Sequence, residues 1–285
     1  MLGIDPDPGE LWPGSTPAPV GDAAPADAAG RAILAHCRAL IDATAQACVA
    51  VKLQLARFEL LGVAGRRVLG ELAAHARGAG LLVIADGKRG DIDVTARAYA
   101  GALLGGVQTP FGNVAGLDAD VLTVNPLMGS DALAPFVDAA RAVGAGVLVL
   151  VRTSNPGAAD IEDLRLRDGG TVWERAAALA HELGAPGLGE SGLSDVGAVM
   201  GATEPAHLAR ARELMPAAPF LLPGVGAQGG RVQDLAAAFA PGRAGGLVSA
   251  SRSIAGAHLR SGGEPAAAAR AEAERMREAA WALSA

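Results

Sequence analysis

The segment Val83-Ile84-Ala85-Asp86-Gly87-Lys88-Arg89-Gly90-Asp91-Ile92 sets a charged cluster directly behind an apolar run. Asp86 and Lys88 are two residues apart, so on an extended chain both side chains project to one side. Asp91 follows after a turn. Carboxylate, ammonium and carboxylate then form an alternating array in which acidic neighbours favour a charged Lys. Spacing alone leaves a second reading open, a surface salt-bridge cluster on a loop, which is common and of small energetic worth.

A second cluster lies late in the chain. In Leu222-Pro223-Gly224-Val225-Gly226-Ala227-Gln228-Gly229-Gly230 the glycines free the backbone for close approach to a ligand, and exposed N–H groups there can form an anion nest. Such a loop by itself also reads as a flexible connection. Some twenty residues on, Ser251-Arg252-Ser253 follows an apolar run, and an Arg there offers a bidentate fork to a phosphate. Other polar residues mark the runs: Asp5 ends the first, Lys52 lies within the second, Asn125 follows the fourth, and Arg152-Thr153-Ser154-Asn155 follows the fifth. His36, His75, His181, His207 and His258 are dispersed through helical patterns without paired spacing and read as surface helix positions.

The elements that must carry these residues recur with a regular rhythm. Short apolar runs at Leu2–Asp5, Cys48–Leu53, Leu81–Ala85, Asp120–Val124, Gly146–Val151, Val196–Met200, Phe220–Leu222 and Gly245–Ser249 have the length of strands. Helical spacing fills the gaps, as in Val68, Leu69, Leu72, Ala73 and Ala76, and Thr171-Val172-Trp173-Glu174 fits a capping box. Eight strand-then-helix units point to an α/β fold, either a closed parallel (β/α)₈ TIM barrel or a doubly wound sheet. In a barrel the C-terminal strand ends carry the active site, and the phosphate site follows strands seven and eight, where the glycine loop and Arg252 fall. Pro13–Ala29 reads as a loop running into a helix from about Asp27 to Ala45, and Glu264–Ala285 as a C-terminal helix with Met276, Ala280 and Leu283 on one side. No linker divides the chain, so residues 1–285 are expected to form a single domain.

Composition agrees. The 285 residues are 51% hydrophobic, 19% charged and only 3% aromatic, a core of Val, Leu, Ile and Ala suited to parallel strands buried on both faces. A net charge of −6 argues against a nucleic-acid surface, and no apolar stretch approaches the ~18 residues of a membrane span. Cys37 and Cys48 are too few for a disulfide framework, and Met1–Pro6 resembles neither a signal nor a transit peptide, so a cytoplasmic location is expected.

Taken in order, these motifs resemble the orotidine 5′-phosphate decarboxylases, specifically their longer bacterial subgroup. The family's D-x-K-x-x-D-I signature matches Asp86, Lys88, Asp91 and Ile92, with its following Thr at Thr95. Val51-Lys52-Leu53-Gln54 with Phe58-Glu59 is similar to the K-P-Q…F-E block, with Leu53 where Pro is usual. Thr123-Val124-Asn125-Pro126, Arg152 to Gly157, Gly201-Ala202-Thr203, Pro223 to Gly230 and Ser251-Arg252-Ser253 complete the series. A helical segment usually precedes strand one in this family, whereas here the strand begins almost at Met1.

The resemblance implies decarboxylation of orotidine 5′-phosphate to UMP without metal or organic cofactor. Lys88 would stabilise and protonate C6, Asp86 would lie by the departing carboxylate, and Lys52 would contact Asp86 and the ribose. Asp5 would hold a ribose hydroxyl, Ser154 would read the pyrimidine amide edge, and Gln228 and Arg252 would hold the phosphate. Asn125, Pro223, Gly226 and Ser251 are expected to complete the substrate-binding set. Asp91, Ile92 and Thr95 would enter a neighbouring subunit's site, making a homodimer obligatory. Two rivals remain: a metal-dependent sugar-phosphate decarboxylase or aldolase on the same barrel, and a non-catalytic barrel that binds a nucleotide.

Overall fold

The structure is a computed structural model that describes residues 1–15, 24–226 and 229–283. Along the chain run β1 (Leu2–Ile4), α1 (Pro25–Thr44), β2 (Ala50–Gln54), α2 (Leu55–Glu59), α3 (Gly62–Gly78) and β3 (Leu82–Arg89). Next come α4 (Asp93–Leu103), β4 (Gly106–Thr109), β5 (Gly112–Ala115), β6 (Val121–Val124), α5 (Ser130–Ala142) and β7 (Gly146–Arg152). Then follow α6 (Val172–Gly184), β8 (Val196–Met200), α7 (Pro205–Leu214), β9 (Phe220–Leu222) and β10 (Gly246–Val248). The chain closes with α8 (Arg252–Ala255), α9 (Ala257–Ser261) and α10 (Pro265–Ala282).

Eight strands hydrogen-bond in the order β1-β2-β3-β6-β7-β8-β9-β10, strictly along the chain and in parallel registers, which is the connectivity of the expected (β/α)₈ fold. Each expected apolar run is one of these strands. The chain divides into two compact units, Met1–Gly87 with Ala250–Arg277, and Lys88–Ser249 with Glu278–Ala285.

In the first unit, Leu2 pairs with Val51, Leu53 with Ala85, and Gln54 with Asp86. Ala250 closes onto β1, its carbonyl accepting the Gly3 N–H at 2.8 Å. A Cβ on Gly3 would lie 2.9 Å from that of Ser251, so only glycine lets the segment carrying Arg252 approach β1. Helix α3 buries Val68, Leu69, Leu72, Ala73 and Ala76, the stripe read from the sequence. Pro25 opens α1, where its missing N–H costs nothing. On α10 the buried side is Ala269, Ala273 and Met276; Ala280 and Leu283 are half-buried, so the expected face is shifted toward the helix start.

In the second unit, Val121 pairs with Gly146, Val147 with Val196, and Phe220 with both Ala198 and Gly246. All of β8 is buried, as parallel strands covered on both faces require. Helix α6 opens on the expected capping box: the Thr171 side chain accepts the Glu174 N–H and Glu174 accepts the Thr171 N–H. The antiparallel hairpin β4–β5 has no counterpart among the expected strands. Its turn signal, Thr109-Pro110-Phe111-Gly112, was legible in the sequence, but its strands carry too few buried apolar residues to register as a run.

Candidate active site

Residues at the strand ends of the first unit form a buried charged network. Lys52 and Asp86 are 6% and 5% exposed, in a core built mostly of apolar side chains. The Lys52 ammonium donates to Asp86 Oδ2 at 2.7 Å, and Asp5 Oδ1 lies 3.6 Å from the same nitrogen, an ion pair too long for a hydrogen bond. Gln54 Nε2 also donates to Asp86 Oδ2, at 3.2 Å, because the β2–β3 register sets the two residues side by side. Burial by itself lowers the Lys52 pKa; the charges of Asp5 and Asp86 overcome it and hold the ammonium above its ordinary value. Asp5, Ser251 and the exposed Arg252 line one cavity of about 420 Å³ together with Ile4, His36 and His258.

In the second unit β3 does not end at Ala85 but continues to Arg89, with the Arg89 carbonyl accepting the Asn125 N–H at 2.8 Å. Lys88 sits in this extension with φ +49°, in the left-handed region, and its N–H donates to the buried Thr123 hydroxyl at 2.9 Å. Asp86 is buried and Lys88 exposed. Past the strand, Asp91 Oδ1 accepts the Ile92 N–H at 2.8 Å, and Ile92 and Thr95 are exposed in the opening turn of α4. Asn125 Oδ1 accepts the Leu127 N–H and so shapes its own turn. Gly90 packs against Asn125, where an added Cβ would meet its Cβ at 3.2 Å.

The segment after β7 is locked in place. Arg152 makes a bidentate pair with Asp163, both contacts 2.9 Å, and Glu162 accepts the Thr153 N–H. Arg152 and Thr153 thus hold the loop that presents Ser154. Gly201 lies so close that an added Cβ would be 3.0 Å from Ser154 Cα. Pro223 takes the Ala202 N–H on its carbonyl. Among the described residues of the glycine loop, Gly226, Gly229 and Gly230 donate their N–H groups to the carbonyls of Gly230, Gly226 and Gly224. Gly224, Gly226 and Gly229 supply the positive φ that this closure requires. Gln228 lies outside the described residues.

Residues 29–271 match the model of the Orotidine 5′-phosphate decarboxylase / HUMPS family, a span that holds every expected site residue except Asp5. The chain belongs to this family. The orotidine 5′-phosphate decarboxylase of Rhodopirellula baltica is 45% identical over 237 residues, covering 82% of this chain and 76% of the relative. That of Deinococcus radiodurans is 49% identical over 216 residues, covering 75% and 74%. Among solved structures, the Leishmania donovani OMP decarboxylase superposes with a TM-score of 0.74 at 32% identity, over 99% of this chain and 92% of the other.

Within this decarboxylase-family frame, sequence reasoning missed three contributors. Gln54 supports Asp86, and Thr123 supports Lys88; both lay inside quoted motifs, and polar side chains in otherwise apolar strands were the signal. His36 was read as a surface position but is 5% exposed, its Nδ1 accepting the Trp12 backbone N–H at 3.1 Å. A lone His with Ala, Cys and Leu around it gives no sign of its partner 24 residues away.

Proposed function

We propose that this chain decarboxylates orotidine 5′-phosphate to UMP and carbon dioxide, with the Lys88 ammonium stabilising and then protonating C6. The observation that carries the reading is the buried Lys52–Asp86 pair, braced by Gln54 and Asp5, in a chain so similar to named decarboxylases. Breaking the C6–carboxylate bond leaves its electron pair on an sp² carbon with no adjacent sink. A fixed ammonium offsets that charge and supplies the proton. Asp86 lies by the departing carboxylate, Lys52 reaches the ribose, and Asp5 takes a ribose hydroxyl. Ser154 reads the pyrimidine amide edge, and Arg252 and Gln228 hold the phosphate, with Asn125, Pro223, Gly226 and Ser251 completing the pocket. Binding energy collected at the remote phosphate is then available to the transition state at C6.

The reaction needs no metal or organic cofactor in this reading. Asp5 and Asp86 already face an ammonium, which would repel a divalent cation from the same oxygens. The working form is a homodimer in which Asp91, Ile92 and Thr95 serve the neighbouring subunit's site. Supporting this, the segment from Ile92 to Met128 exposes the large apolar side chains Ile92, Val94, Val107, Phe111, Val114 and Leu127. The chain is read as one catalytic domain, a reading supported by one sheet whose strands come from residues 2 to 248. Free Cys37 and Cys48 suit a reducing cytoplasm. Incubation with orotidine 5′-phosphate tests the proposal: its near-ultraviolet absorbance should fall as UMP and carbon dioxide appear in equal amounts. No turnover, or turnover only with an added divalent metal, would overturn it.

A further inference from the structure

We infer that Trp12 is a positioning residue for the phosphate end of the site, tying the loop that carries Asp5 to the short helix that carries Arg252. The inference rests on the reading of Arg252 as the phosphate ligand. Trp12 is 5% exposed, in the loop after β1, and it is anchored on both sides. Its indole Nε1–H donates to the Ala255 carbonyl at 2.7 Å, and its backbone N–H donates to His36 Nδ1 at 3.1 Å. The His36 ring meets the indole edge-on at 5.2 Å between centroids, and His258 on α9 does so at 6.5 Å.

The helix it holds is short and buries one side chain, Ile254. Helix α8 is four residues long, Arg252–Ala255, and a helix that short leaves its last carbonyls without partners of their own. The Trp12 indole fills that need at Ala255, while Arg260 Nη2 donates to the Ser253 carbonyl at 2.7 Å. Arg252 itself is exposed, and the helix backbone sets the point and direction from which its side chain starts. Asp5 lies seven residues before Trp12 on the same loop, and Asp5 and Arg252 line the same cavity. Beside the Gly3–Ala250 hydrogen bond, the indole thus adds a second tie that sets the spacing between the residues assigned to the ribose and to the phosphate. A misplacement of about 1 Å there is enough to weaken catalysis at a remote carbon.

Trp12→Phe keeps an apolar ring and deletes the N–H donor. With orotidine 5′-phosphate it should raise KM about three- to ten-fold, the equilibrium weight of one hydrogen bond. With orotidine, which lacks the phosphate, kcat/KM should stay within about two-fold. Arg252→Ala should discriminate the same two substrates more strongly, by roughly ten- to a hundred-fold, and Trp12→Phe added to it should cost nothing further. If Trp12→Phe fails to fold, benzothienylalanine at position 12, isosteric with Trp but without the N–H, gives the same comparison. Equal losses on both substrates, an unchanged KM, or additive losses in the double variant would overturn the inference. Arg252→Ala failing to discriminate would instead sink the phosphate reading, and the role of Trp12 with it.

Discussion

Acid should destabilise this protein through His36 at a pH where carboxylates are still largely ionised. Burial, reinforced by the nearby His258, pushes the His36 pKa down to about 4 from 6.5. The unfolded chain regains the ordinary value, so between these limits unfolding takes up a proton that the folded ring refuses. The contribution of a neutral His36 is therefore complete above pH 6.5 and is lost as pH falls toward 4. From pH 7 to pH 5 the loss is about 2 kcal/mol, and near pH 4 it approaches about 3 kcal/mol, a large part of a typical domain's stability. His36→Gln removes the titration and keeps an oxygen able to accept the Trp12 N–H. Urea unfolding of both proteins at pH 7, 6 and 5, at one fixed protein concentration, isolates the effect because every other titrating group is common to the two. Wild type should lose about 2 kcal/mol more than the variant over that interval. Parallel stability curves would refute the reasoning, since they would mean His36 titrates alike in the folded and unfolded states.

Lys52→Ala should destabilise by about 3–5 kcal/mol, because it leaves Asp86 buried without its counter-charge, and should abolish turnover; a loss under about 1 kcal/mol in denaturant unfolding would contradict the buried pair. Exhaustive chelation with EDTA should leave activity unchanged, and activity that falls and returns with magnesium would transfer the chain to a metal-dependent chemistry. Lys88→Ala and Asp91→Ala homodimers should each be nearly inactive, yet mixed under subunit exchange they should recover roughly a quarter of wild-type activity, since half the dimers then carry one intact site. Demonstrated exchange without recovery would place Asp91 in its own subunit's site.

The strands and the principal helices were legible because burial on both faces writes itself into short runs of Val, Leu and Ala, as at Val196–Met200. Charged residues at the run ends marked the site for the same reason: Asp86 and Lys52 have no cause to interrupt apolar strands unless they are used. Backbone conformation was not legible. Nothing in Gly87-Lys88-Arg89 announces a left-handed Lys88; the partners that hold the neighbouring backbone, Thr123 and Asn125, lie more than thirty residues away. The glycine loop shows the same dependence: the hydrogen bonds among Gly224, Gly226, Gly229 and Gly230 are set by positive φ angles that the sequence permits but does not specify. His36 and Trp12 escaped notice because their pairing is set by where β1 and α1 meet, a relation that no local window contains.

The network around Lys52 also constrains how the site can be tuned. One ammonium stands between two carboxylates, so the set retains a single negative charge while Lys52 is protonated. Burial works against the ammonium, and the charges of Asp5 and Asp86 outweigh it. Neither carboxylate is therefore an independent element. Weakening Asp5 reduces the force that keeps Lys52 charged, and a less firmly charged Lys52 in turn leaves Asp86 poorly compensated in an apolar surround. Gln54 adds a neutral donor to Asp86 and bears part of that burden without titrating. The residue assigned to the ribose and the carboxylate assigned to the departing group are thus coupled through one nitrogen, and substitutions at Asp5 and Asp86 act on a single electrostatic unit.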